Sequence, residues 1–216
     1  MVQFPLSPES SAVLVIDMQN QFVGPEAVFP VPAGKEMIPR MHAFLLAVRR
    51  IGVPVIYTAY KARDGLPPHG PSAVLLPAVR EGRAHRGPGA EIVQSLAPHP
   101  GDLIIDKPRQ SAFYGTDLEV ILRSLGADTV IISGVTTNVC CLATARDAAA
   151  RDLSVVLLSD LTATSELPGR DGGTIDAETV HELTCAIVAH SIGEVTTSDD
   201  ALNRFSGRSS ERRRES

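Results

Sequence analysis

The chain has 216 residues, 44 % of them hydrophobic and 21 % charged, with a formal net charge of −5. That length fits one large domain, able to bury a sizeable core without disulfide staples. The acidic balance gives no electrostatic case for a nucleic-acid partner, no apolar run is long enough to span a bilayer, and the start Met1-Val2-Gln3-Phe4-Pro5 lacks the charged head and apolar centre of a secretory signal.

Cys140, Cys141 and Cys185 are odd in number and have no CxxC spacing. Neither a disulfide framework nor a zinc ribbon is expected, and a cytoplasmic location is. Ala12-Val13-Leu14-Val15-Ile16 is apolar on both faces and reads as a buried strand. Residues 35–50 read as a helix, with Pro39 near its first turn and Gly52 at its stop. A second strand is predicted over 53–58. Residues 61–90 hold Pro67, Pro68, Pro71, Pro77 and Pro88 plus several glycines. They read as a long loop with a short helical piece near 72–80, and loops of that length in compact domains are often functional.

Order returns with a strand over 102–106, a helix over 117–125 ended by Gly126, a strand over 129–133 and a helix over 138–151. A strand over 153–158, a long helix over 176–190 and a short strand over 194–197 follow. Residues 207–216, with Arg212-Arg213-Arg214 near their end, read as a flexible polar tail, so the single domain is placed at 1–206. Alternating strands and helices imply right-handed crossovers and a mostly parallel sheet of about six strands, covered on both faces as a three-layer α/β/α sandwich.

In such sheets, sites form at the carboxyl ends of strands. Cys140 falls in the first turn of the helix after the fourth strand, where free N–H groups and the helix dipole favour a thiolate. A lone cysteine can equally be a small buried hydrophobe. Cys141 points about 100° further round the helix, toward the sheet, and Cys185 sits on an apolar helix face. Asp17 directly follows five apolar residues, a costly place for a carboxylate unless it is paired, used, or spent as a turn cap. Lys107 also ends a buried strand, although most lysines are solvated. Taken together, an acid, a cation and a thiol meet at one sheet edge, a nucleophile-plus-base constellation.

Only 4 % of the residues are aromatic, yet Phe22, Tyr60, Phe113 and Tyr114 all fall near strand ends. At least two of them are expected to line an apolar slot over Cys140; the alternative is ordinary core packing. His69, His85 and His99 are scattered without metal spacing, so no metal is expected.

Three segments carry a family resemblance: Val15-Ile16-Asp17-Met18-Gln19-Asn20-Gln21-Phe22, the stretch from Lys107-Pro108-Arg109 through Phe113-Tyr114 to Leu118, and Gly134-Val135-Thr136-Thr137-Asn138-Val139-Cys140. In order, spacing and strand context they resemble the isochorismatase-like cysteine hydrolases. The resemblance implies a Rossmann-like sheet that binds no dinucleotide, and no G-x-G-x-x-G follows the first strand. It implies an Asp17–Lys107–Cys140 triad without cofactor: Asp17 as general base, Lys107 as electrostatic partner and Cys140 as nucleophile. It further implies a cis peptide between Val135 and Thr136, and an oxyanion hole from the N–H groups of Thr136 and Cys140. The implied reaction is cleavage of the C–N bond of a small amide or ureide, by a homo-oligomer. Cleavage of isochorismate itself is disfavoured, since members doing that lack the cysteine. The nicotinamidase branch carries an Asp-x-His motif after the second strand, where this chain reads Thr58-Ala59-Tyr60-Lys61-Ala62. A catalytically silent binding member is the reading from another class.

Overall fold

The computed structural model describes residues 3–63, 65 and 70–207. The expected tail from 208 onward lies outside the described residues, as do Pro67, Pro68 and His69 of the loop. The framework runs β1 (Ser11–Ile16), α1 (Ile38–Arg50), β2 (Val55–Tyr60), β3 (Leu103–Lys107), α2 (Leu118–Ser124), β4 (Thr129–Val135), α3 (Leu142–Ala149), β5 (Ser154–Ala163), α4 (Ala177–Ser191), β6 (Glu194–Thr196) and α5 (Ser198–Phe205).

The six strands form one parallel sheet in the order β3-β2-β1-β4-β5-β6. Every residue of β1, β2 and β4 is buried, as expected where helices cover both faces. Alternate residues divide the core in two. Val13 and Val15 pack with Met41, Phe44 and Leu45 of α1 and Ala201 of α5. Ala12, Leu14 and Ile16 pack with Leu118 and Leu122 of α2, Ala145 and Ala148 of α3, and Val188 of α4. Each large apolar side chain so buried stabilises the fold by about 1.5–3 kcal/mol relative to exposure. Among the described residues no helix is long and apolar enough to cross a membrane.

Several element boundaries differ from the sequence reading, each for a local reason. The helix expected over 35–50 starts at Ile38, because Pro39 has no N–H and fits only a first turn. A separate short turn, Pro32–Glu36, precedes it. β2 begins at Val55 rather than 53, since Pro54 cannot donate to a ladder. β5 runs on to Ala163 through a register shift against β4, past the point where the apolar run stops at Leu158. The helix expected over 138–151 opens instead as a π-helical turn, Thr137–Cys141, followed by α3. α5 was not anticipated, although Thr197 caps it by accepting from the Asp200 N–H, with Asp199 and Asp200 in its first turn.

The switch in strand order lies between β1 and β4, where their carboxyl ends can open a crevice. Gly134 permits their close approach. Its φ of +111° favours glycine, and a Cβ there would sit 2.0 Å from the Ile16 carbonyl oxygen. Gly134→Ala is therefore expected to cost on the order of 4 kcal/mol in urea unfolding, or to yield insoluble chain. A loss below about 1 kcal/mol would show that the two strand ends can part freely.

Candidate active site

Three strand ends deliver the three candidate groups. Asp17 follows β1, Lys107 ends β3, and Cys140 sits in the π-helical turn after β4. Asp17 and Lys107 have no exposed side-chain surface, and their Oδ2 and Nζ atoms lie 2.8 Å apart. Asp17 occupies the left-handed region at φ 51°, a cost for a residue other than glycine. It is not a cap. Its Oδ1 accepts from the Thr58 hydroxyl at 2.7 Å, and its N–H donates to the Thr58 carbonyl at 3.2 Å. Oδ2 is paired with the Lys107 ammonium.

Lys107 is held from several sides. Nζ donates to the carbonyls of Arg109 and Gln110, both at 2.9 Å, and reaches Cys140 Sγ at 3.5 Å. It also lies 4.4 Å from the centroid of the Tyr60 ring. An ammonium has three donors. Two are committed to carbonyls, leaving one to share between Asp17 and the sulfur. Burial opposes the lysine charge, but Asp17 and then Cys140 outweigh it, and the pKa is raised.

Cys140 departs from the sequence expectation in one respect. Its place after a strand was expected to favour a thiolate. Instead burial pushes the thiol up to about 12, the Lys107 charge pulling it down and the Asp17 charge pushing it up. A short π-helical turn deep in the fold removes water from the sulfur, and that outweighs any N-terminal dipole. The Cys141 N–H closes the π turn on the Thr136 carbonyl at 3.1 Å. Cys141 is fully buried in the core, whereas Cys140 borders a cavity. The Val135–Thr136 peptide bond is cis, and Thr136 borders the same cavity. Cys185 is half-buried on α4, 3.6 Å from His181 Nε2, while His181 Nδ1 lies 3.0 Å from the Thr137 hydroxyl.

The cavity has a volume of about 200 Å³. Phe22 and Tyr60 line it, two of the four aromatic residues singled out above. Phe113 and Tyr114 do not. Ala112 N–H donates to the Thr144 hydroxyl and Ser111 to Asp147, which pins their loop to α3. Phe113 then packs in the core with its ring under the Arg151 guanidinium, and Tyr114 turns to solvent. Phe29 and His85, absent from the expected set, join the wall. His85 stacks on Tyr60 with centroids 3.9 Å apart and on Phe29 at 5.9 Å.

His85 reaches the site because the 61–90 segment is tied down from below. Gln19 accepts from the Tyr60 N–H at 2.9 Å, and Gln21 accepts from the His85 N–H at 2.7 Å. Two buried glutamines just past a strand end were the available sequence signal, since buried amides need partners. A larger recess of about 320 Å³, bordered by Phe4, His190 and Glu194, lies toward the amino-terminal ends of the strands, away from these groups. Among the described residues no three His, Cys, Asp or Glu side chains converge as metal ligands.

The buried ion pair generates a stability prediction. Lys107→Met strands the Asp17 carboxylate in the core and is expected to destabilise by about 3–5 kcal/mol. The double variant Asp17→Asn, Lys107→Met should recover more than half of that loss in denaturant unfolding. If the double variant is no more stable than the single one, the pair is not electrostatically coupled.

Comparison with known proteins agrees with this architecture. The Isochorismatase domain family matches residues 11–200. A ureidoacrylate amidohydrolase, RutB, of Methylobacterium radiotolerans is 32 % identical over 180 residues, covering 73 % of this chain and 68 % of the relative. The crystal structure of a cysteine hydrolase from Pseudomonas syringae pv. phaseolicola superposes with a TM-score of 0.90 at 34 % identity, covering 96 % of this chain and 97 % of that one. N-carbamoylsarcosine amidase from Thermoplasma acidophilum superposes at 0.69 with 26 % identity, covering 88 % of this chain and 97 % of that one. With one parallel six-stranded sheet, a polar cluster at its switch point and a family match over nearly its whole length, this chain belongs to the isochorismatase family.

Proposed function

We propose that the chain is a cysteine-dependent amidohydrolase that cleaves the C–N bond of a small amide or ureido compound through a thioester, or for a ureide its thiocarbamate counterpart. The observation that carries the reading is the buried Asp17–Lys107 pair in contact with the Cys140 thiol at the floor of a small cavity. The names of the relatives, a ureidoacrylate amidohydrolase and an N-carbamoylsarcosine amidase, support the reaction class.

The geometry suggests why such a thiol can act despite its raised pKa. Moving the proton from Sγ to Asp17 leaves the net charge of the three groups unchanged. The interior therefore absorbs only a displacement of charge over a few ångströms. The Lys107 donor shared between Asp17 and the sulfur can follow that charge from carboxylate to thiolate. The thiolate then adds to the substrate carbonyl, and the N–H groups of Thr136 and Cys140 take the oxyanion. As the C–N bond breaks, Asp17 returns the proton to the leaving nitrogen. Water, deprotonated by the same carboxylate, hydrolyses the acyl–sulfur bond and restores the thiol.

Cys140→Ser is expected to lower kcat by at least about 10³-fold with the fold intact, and Cys141→Ser to keep most activity. Ammonia release from small amides and ureides measures both; the reverse pattern would move the nucleophile to Cys141.

A second test separates the two charges. Asp17 raises and Lys107 lowers the thiol pKa, so Asp17→Asn should enlarge the thiolate fraction at pH 8 and Lys107→Met should shrink it. Alkylation of Cys140 by iodoacetamide, followed by mass spectrometry, should then run several-fold faster than wild type in the first variant and slower in the second. Asp17→Asn should nonetheless be inactive, having lost its base. Equal alkylation rates in all three proteins would show that neither charge reaches the sulfur.

A further inference from the structure

The cavity over Cys140 is walled by rings and aliphatic side chains. Phe22, Phe29, Tyr60 and His85 form a continuous aromatic face, with ring pairs stacked at 3.9 and 5.9 Å, and Leu76 and Leu167 close the rim. The polar atoms at its edge come from uncharged groups such as Gln110, Asn138 and Thr164, and the last two are bonded to each other at 2.6 Å. Among the described residues that line it there is no lysine, arginine, aspartate or glutamate.

Among the described residues, the cation beneath the floor is Lys107, and its donors are already taken. Two Lys107 donors go to the carbonyls of Arg109 and Gln110, and the third serves Asp17 and Cys140. The Arg109 guanidinium bonds the Pro108 carbonyl and does not line the cavity, although its charge acts on Tyr60. A carboxylate brought into this space would lose its water and meet no lysine or arginine among the described residues that line it, which is unfavourable. An apolar or planar group would instead gain burial against four rings.

We infer that the slot selects uncharged substrates, small amides or ureides bearing an apolar or planar group, and discriminates against those carrying a carboxylate on that group. This rests on the hydrolase reading above and narrows its substrate class. Selection comes from the wall formed by Phe22, Phe29, Tyr60 and His85, with Phe29 the specificity-determining residue that the expected set lacked.

Two matched pairs test the inference: isocaproamide against succinamate, and isopentylurea against ureidopropionate. Within each pair two methyl groups replace the two carboxylate oxygens. Binding is measured by calorimetry on Cys140→Ser at pH 8. The neutral member of each pair should bind at least about tenfold tighter, and Phe29→Ala should erase most of that preference while moving Tm little. Equal binding, tighter binding of the anion, or failure of the neutral compounds to bind at all would overturn the inference. Ammonia release by the wild-type chain decides the hydrolase reading separately. Turnover with an anion preference would sink only the selectivity, whereas neutral-selective binding without turnover of any compound would sink only the hydrolysis.

Discussion

Much of this structure is organised around a single buried ion pair. Asp17 and Lys107 are both fully removed from water, a state that neither could occupy alone. Their neutralisation requires the ends of β1 and β3 to stand at a fixed separation, with β2 between them. Thr58 near the end of β2 completes the arrangement by donating to Asp17, and the Tyr60 ring at the same strand end faces the ammonium. The parallel registers of these three strands are thus tied to the electrostatics of the site as well as to the alternation of the core.

The same pair defines the state of the sulfur. Burial keeps the thiol protonated at rest, and the two neighbouring charges pull in opposite directions. On the mechanism proposed above, such a site trades a reactive resting thiolate for a proton that moves only a short distance when the carbonyl arrives. Keeping water out is part of the same arrangement. The 61–90 segment, held by Gln19 and Gln21 from the turn after β1, lays His85 against Tyr60 and makes the cavity wall continuous. One short stretch, Asp17 to Phe22, therefore supplies the buried carboxylate, the clamps for the loop, and one ring of the wall.

Residue types and spacing determined a good deal. Apolar runs of strand length, separated by amphipathic helices, announced a parallel sheet covered on both faces, because a strand apolar at every position has no solvent side. Asp17, Lys107 and Cys140 could be singled out because each breaks or follows such a run, and a parallel sheet gathers its strand ends at one edge. Proline and glycine positions fixed most helix limits to within a few residues. The capping signal at Thr197, followed by Asp199 and Asp200, is also present in the sequence.

What only the tertiary structure decided depends on contacts between residues far apart in the chain. The raised pKa of Cys140 comes from burial, which a position after a strand does not reveal. Phe113 and Tyr114 looked equivalent to Phe22 and Tyr60 by distance from a strand end. The bonds of Ser111 and Ala112 to α3 turn their loop away, and nothing local to that loop encodes the partner. His85 and Phe29 entered the wall through hydrogen bonds and stacking across many residues of sequence. The sequence specifies which side chains exist and the period on which they alternate, while the direction in which a loop side chain points is set by whichever distant donor or ring it meets after the sheet has closed.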